Sequence, residues 1–188
     1  MARATRRLIY TVIEDELLRK IWLIAATLVL VAPGRIAFAE ASDPAAVKSE
    51  DGKYLDKEGN PTFKVAADGT VDWYTYSGYR RYHSECHVCH GPDGMGSTYA
   101  PALQESLKTM TYPQFLEVVA SGRKNVNTAQ ESVMPAFGDN PNVACYMDDL
   151  YVYLRARSHD AVGRVRPPKR EEKPEAYAQA ETACMGTK

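Results

Sequence analysis

The chain has 188 residues, 45% hydrophobic and 25% charged, enough for one modest core or one small domain with extensions. Residues 40–188 carry 17 Lys/Arg against 21 Asp/Glu, a net −4. That balance argues against a nucleic-acid binder, which needs a basic face to displace counterions from phosphates.

In chain order, the first element is a twelve-residue uncharged run, Ile21 to Ala32, preceded by Arg3, Arg6, Arg7, Arg19 and Lys20. Pro33-Gly34 and the small-residue site Ala37-Phe38-Ala39 follow it. The run falls short of the roughly 20 apolar residues that span a bilayer, so residues 1–39 read as a cleaved secretory signal peptide. A retained anchor is the alternative, and Arg35 counts against it. The expected mature chain is exported, with no stable membrane insertion.

Glu40 to Glu50 is small and polar and reads as a flexible lead-in. Across 53–73 the turn signals Lys57-Glu58-Gly59-Asn60-Pro61 and Ala67-Asp68-Gly69 separate short runs that fit a small hairpin. A helix fits Tyr74 to Ser84. Thr111 fits an N-cap with Gln114 three residues on, Phe115, Val118 and Val119 give an apolar face, and Gly122 a stop. Residues 124–141 read as a loop with one apolar island, Val133 to Phe137. The last strong helix is expected from Asn142, a cap after Pro141, with Val143, Met147, Leu150, Tyr151 and Leu154 on one face. Beyond Ser158 the chain is rich in Pro and charge, then Ala. The expected fold class is all-α: a helical domain over 73–157, an N-terminal extension over 40–72 and a C-terminal tail over 158–188.

Cys86-His87-Val88-Cys89-His90 has the CxxCH spacing of a c-type haem attachment site. Two thiols within one helical turn add to the two haem vinyl groups, and the adjacent imidazole is then aimed at the iron. Three other readings stay open on the residues alone. A redox disulfide would need the alternating strand and helix pattern of thioredoxin-like folds, which is missing. A zinc site would need further ligands such as His83 or His87. A structural disulfide between Cys86 and Cys89 leaves His90 without a role. With haem bound through His90, the candidate for the opposite axial position is Met134, 44 residues later in a loop stiffened by Pro135. Met110 is its competitor. A thioether ligand raises the potential and leaves no open coordination position.

The run from Tyr79 to Leu154 resembles a mono-haem cytochrome c domain: Cys86-His87-Val88-Cys89-His90-Gly91, Gly94 and Gly96, Pro101 followed by Leu103, Met134-Pro135-Ala136-Phe137, and a closing amphipathic helix. The resemblance implies one covalent haem c on Cys86 and Cys89, and a proline carbonyl, here that of Pro101, accepting the other ring N–H of His90. More narrowly, the two extra cysteines, Lys53-Tyr54-Leu55-Asp56, Asp72-Trp73-Tyr74 and Asn142-Val143-Ala144-Cys145-Tyr146 resemble the four-cysteine c-type cytochromes associated with methanol metabolism. That resemblance implies a periplasmic carrier that accepts electrons from a PQQ-dependent methanol or alcohol dehydrogenase and passes them to a downstream cytochrome c or oxidase of the respiratory chain.

Cys145 and Cys184 remain after haem attachment, and an even remainder in an exported protein suggests a disulfide that staples the tail to the domain; two free thiols are the alternative. Tyr74, Tyr76, Tyr79 and Tyr82 cluster before the haem motif and read as packed helix residues with wet hydroxyls, the alternative being a hydrogen bond to a haem propionate or a place at a docking rim. Arg123 and Lys124 are either propionate partners or solvated, and His83, His87 and His159 read as surface residues. The function expected is a one-electron carrier and not an enzyme. The alternative is a haem enzyme or gas sensor, peroxidase-like, with a displaceable sixth ligand.

Overall fold

The computed structural model describes residues 42–126 and 131–186, and the signal peptide expected over 1–39 lies outside them. Three short strands come first, β1 (Lys48–Glu50), β2 (Lys53–Leu55) and β3 (Pro61–Thr62), in an antiparallel sheet with Ser49 opposite Tyr54 and Tyr54 opposite Thr62. The expected hairpin is therefore a three-stranded meander, and the expected flexible lead-in is held in place. Arg155, 2% exposed, donates to the Ser42 carbonyl at 2.7 Å, the Ser42 hydroxyl at 2.9 Å, the Pro61 carbonyl at 3.0 Å and the Asp56 carboxylate at 2.9 Å. The anchoring cation lies 113 residues away in sequence, which is why the local composition of 40–50 looked unstructured.

Helix α1 spans Trp73–Glu85. Asp72 caps it, accepting from the Thr75 N–H at 2.8 Å, and its other oxygen accepts from the Lys64 N–H at 2.8 Å, so one side chain starts the helix and fastens the extension to it. Then follow α2 (His87–His90), a 3₁₀ turn (Pro92–Gly94), α3 (Leu103–Ser106) and α4 (Tyr112–Ser121). Thr111 and Gln114 form a reciprocal capping box on α4, and Gly122, at φ 75°, ends it. The expected loop over 124–141 contains a two-stranded ribbon, β4 (Arg123–Val126) and β5 (Glu131–Met134).

The expected last helix is two helices, α5 (Pro141–Ala144) and α6 (Met147–Ser158). The cap is Asn140, which accepts from the Asn142 N–H at 3.0 Å, rather than Asn142 itself. Helix α5 stops at Cys145, which is bonded to Cys184, and Tyr146 leaves helical geometry at φ −131° with its ring buried. Helix α6 packs along α1 through buried Tyr153, whose ring lies 5.7 Å from that of Tyr79 and 5.6 Å from that of Tyr82, and it also buries Leu150 and Leu154. The tail ends in α7 (Glu175–Met185). Tyr177 of α7 is 5% exposed and packs edge-on to Trp73 and Tyr74 at 5.7 and 5.1 Å, so the tail contributes to the core. Among the described residues no helix is long and apolar enough to cross a membrane.

Candidate haem-binding site

Cys86 is the C-cap of α1, and its carbonyl accepts from the N–H groups of both Cys89 at 3.3 Å and His90 at 3.1 Å, which folds Cys86 to His90 into one turn. Both Cys86 and Cys89 are free thiols, so neither a redox nor a structural disulfide joins them. Burial pushes the Cys86 thiol up to about 12, while Cys89 is exposed. Among the described residues no group of three or more His, Cys, Asp and Glu could hold a metal ion, which leaves the zinc reading without a site there. His83, read as a surface residue, is half-buried: its Nδ1 bonds the Tyr79 carbonyl at 2.8 Å and its Nε2 lies 3.2 Å from Asp93.

His90 is 7% exposed, and its Nδ1 lies 3.0 Å from the Pro101 carbonyl oxygen. A carbonyl can only accept, so Nδ1 carries the proton and Nε2 the lone pair that can coordinate iron. Glycine brings Pro101 to the ring. A Cβ on Gly91 would stand 2.1 Å from the Gly96 oxygen, and one on Gly96 2.7 Å from the Ala102 nitrogen. Both glycines have positive φ, 74° and 83°, so three backbone segments lie against one another in a conformation side chains would block. The Gly96 N–H also donates to the His90 carbonyl at 2.7 Å.

Met134 closes β5 opposite Arg123 and is half-buried against the core. Gly122 passes so close that a Cβ would be 2.6 Å from the Met134 oxygen. Beyond it, the Phe137 and Gly138 N–H groups donate to the Val119 and Ala120 carbonyls of α4, both at 3.0 Å. The Met134 backbone is thus fixed from both sides. The other pair the sequence singled out, Cys145 and Cys184, is joined, with Cα atoms 5.8 Å apart.

The donor set fits a covalently attached haem: two unpaired thiols within one turn, an imidazole whose Nδ1 is committed to a carbonyl and whose Nε2 is left to coordinate, and a thioether on a fixed strand end. Sequence reasoning missed Arg157 and the contacts of Tyr82. The Tyr82 hydroxyl, expected to be wet, is buried and donates to the Gly91 carbonyl at 2.5 Å. The Arg157 Nε donates to the Asp93 carbonyl at 3.1 Å and its Nη2 lies 3.7 Å from the Met95 sulfur. The available signal was position: Tyr82 stands one helical turn before Cys86, on the face that carries the motif.

The family model of cytochrome c oxidase, cbb3-type, subunit III matches residues 75–154. Cytochrome c-553I of Paracoccus denitrificans is 53% identical over 152 residues, which cover 81% of this chain and 67% of that protein. Cytochrome c-555 of Methylococcus capsulatus is 40% identical over 107 residues, 55% of this chain and 80% of the relative. The crystal structure of the c-type cytochrome XoxG from Methylobacterium extorquens AM1 is similar with a TM-score of 0.69 and 55% identity, covering 78% of this chain and 98% of that one.

Proposed function

The chain belongs to the c-type cytochromes, electron-transfer proteins with a covalently bound haem c, and from that premise we propose that it is a periplasmic one-electron carrier of methanol or alcohol oxidation. In this reading residues 1–39 are removed on export. Cys86 and Cys89 would hold the haem and His90 and Met134 would ligate its iron; a PQQ-dependent dehydrogenase is the donor and a downstream cytochrome c or oxidase the acceptor. When bound, the haem supplies the Fe(III)/Fe(II) couple.

The hydrogen bond from His90 Nδ1 to the Pro101 carbonyl carries the reading. It fixes the tautomer and orientation that ligation requires and raises the basicity of the ring. Val88 (74% exposed) lies inside the attachment motif and Val133 (60%) beside Met134, so apolar side chains stand in solvent next to both proposed ligands. Such a surface suits the small, short-lived contacts of electron exchange. The Cys145–Cys184 disulfide supports an oxidising compartment.

The test is stopped-flow reduction of the oxidised, haem-loaded protein by a substrate-reduced PQQ-dependent alcohol dehydrogenase at two ionic strengths. Fast, saturable, salt-sensitive reduction is expected. Negligible reduction of a six-coordinate protein would remove the dehydrogenase from the assignment.

A further inference from the structure

Tyr82 is 0% exposed, and its hydroxyl makes two hydrogen bonds in one turn of backbone: it donates to the Gly91 carbonyl at 2.5 Å and accepts from the Gly94 N–H at 3.0 Å. Gly91 is covalently next to His90. The ring alone does not account for these bonds, since phenylalanine would fill the same space against Tyr153. Tyr153 is the contrast: it is equally buried, and its hydroxyl has no partner among the described residues. The same turn is gripped elsewhere by Arg157 at the Asp93 carbonyl and by His83 at the Asp93 carboxylate, but those contacts hold residue 93, whereas Tyr82 holds Gly91, the residue bonded to His90.

From the hydroxyl a continuous set of close contacts leads to the His90 ring. Gly91 lies against Gly96, Gly96 against Pro101 and Ala102, and the Pro101 carbonyl accepts from His90 Nδ1. We propose that the Tyr82 hydroxyl is a positioning group for the iron ligand: by closing the 91–94 turn it sets the His90–Pro101 hydrogen bond and, through that bond, the reduction potential of the haem. The inference rests on the reading of His90 as an axial ligand. Donation from Nδ1 to a carbonyl builds negative charge on the imidazole, which favours Fe(III) over Fe(II) and lowers the potential. Without the phenol oxygen, the Gly91 carbonyl and Gly94 N–H become buried groups without partners, and the turn moves to satisfy them. The bond to Pro101 then lengthens and the potential rises.

The experiment is a potentiometric titration of the haem-loaded wild type, Tyr82→Phe and Tyr153→Phe, with amide hydrogen exchange on each. The expected result is that Tyr82→Phe raises the reduced-to-oxidised ratio several-fold at a fixed ambient potential and speeds exchange of the Gly94 amide. Tyr153→Phe, which removes a buried hydroxyl with no partner among the described residues, moves neither. A Tyr82→Phe protein that folds, keeps both axial ligands and titrates like the wild type overturns the inference. So does a wild-type Gly94 amide that exchanges as fast as an open chain, a result that needs no variant to fold. A wild-type protein whose imidazole protons show no iron-induced shift in NMR overturns the ligand reading and the inference with it, and is recognised in the wild type alone.

Discussion

Gly78 of α1 lies against the backbone of Asp149 in α6, so closely that a Cβ on residue 78 would stand 1.9 Å from the Asp149 carbonyl oxygen and 2.7 Å from the Tyr153 Cβ. The obstacle is backbone, which cannot rotate aside. α1 leads directly into the CxxCH motif and α6 carries Arg157, so the closeness of this contact positions both. Gly78→Ala must push the helices apart, at an expected loss of about 3 kcal/mol. Urea unfolding of the haem-loaded variant checks it; a midpoint equal to that of the wild type would mean that the two helices separate without strain.

Asp149 itself is buried, and Tyr177 donates to it at 2.6 Å. Burial is the largest influence on its carboxyl and pushes it up to about 7 from the ordinary 3.8, against the opposing hydrogen bonds of Ser77 and Tyr177. Between those two values the folded chain holds a proton that the unfolded chain has released. The stability due to this group is therefore complete below about pH 4 and is lost as the pH rises through about 7. Asp149→Asn is expected to flatten that decline and to exceed the wild type at about pH 8. Unfolding midpoints at mildly acidic and mildly alkaline pH give the comparison, and parallel curves for the two proteins would refute it.

What the sequence made legible follows from how local each signal is. The Cys86–His90 motif, the Thr111 and Gln114 capping box and the Gly122 stop depend on residues within a few positions of one another, and the structure shows each element where its pattern stands. The Cys145–Cys184 pair came from counting cysteines, which works over any separation. The ribbon that carries Met134 was invisible because Arg123 to Val126 has no apolar alternation, its pairing being fixed by backbone hydrogen bonds to β5. The role of Tyr177 and the anchoring of Ser42 depend on partners 28 to 113 residues away, a relation no local pattern carries. The break at Cys145-Tyr146 was hidden for the same reason: the stripe of Val143, Met147 and Leu154 fits a continuous helix, and the disulfide and the burial of Tyr146 override it.

Among the contacts that fasten the tail are the Cys145–Cys184 bridge, which closes a separation of 39 residues, the burial of Tyr177, and the Glu171 N–H donating to the Val71 carbonyl at 2.8 Å. A loop of that length is worth about 4 kcal/mol in the chain-entropy account of a disulfide. Cys145→Ser with Cys184→Ser should lower stability by up to that amount while the spectrum of the haem stays unchanged, because neither cysteine belongs to the attachment motif. Thermal unfolding monitored in the far ultraviolet, with the Soret band as the site probe, separates the two effects. A haem spectrum altered in the double variant would tie the tail to the site.

Arg155 and Asp56 form a buried ion pair at 2.9 Å, with side chains 2% and 0% exposed. Burial opposes ionisation of Asp56, but the bonds from Ser42, Asn60 and Arg155 outweigh it and hold the carboxyl below its usual range. Arg155→Met strands that carboxylate and the Ser42 and Pro61 carbonyls, at an expected loss of about 3–5 kcal/mol. Adding Asp56→Leu should restore a large part, since an apolar pair carries no desolvation debt. A double variant no more stable than Arg155→Met would show that the backbone carbonyls, not the charge pair, dominate.

Met134 and Met110 are the two methionines that sequence position leaves in competition for the sixth ligand, and they stand in different settings. Met110 is a half-buried loop residue just before α4, whereas Met134 ends a paired strand whose continuation is tied to α4. Met95 is engaged through its sulfur by Arg157. A thioether favours the reduced iron and fills the coordination shell. Met134→Ala should therefore lower the potential, abolish the long-wavelength sulfur-to-iron absorption of the ferric protein and admit carbon monoxide to the ferrous one. Met110→Ala should leave all three as in the wild type, which is expected to resist carbon monoxide. The reverse pattern would move the ligand to Met110. A wild type that already binds carbon monoxide rapidly and fully would mean that the sixth position is open, and a carrier that reacts with gases in this way cannot keep its iron committed to electron exchange alone.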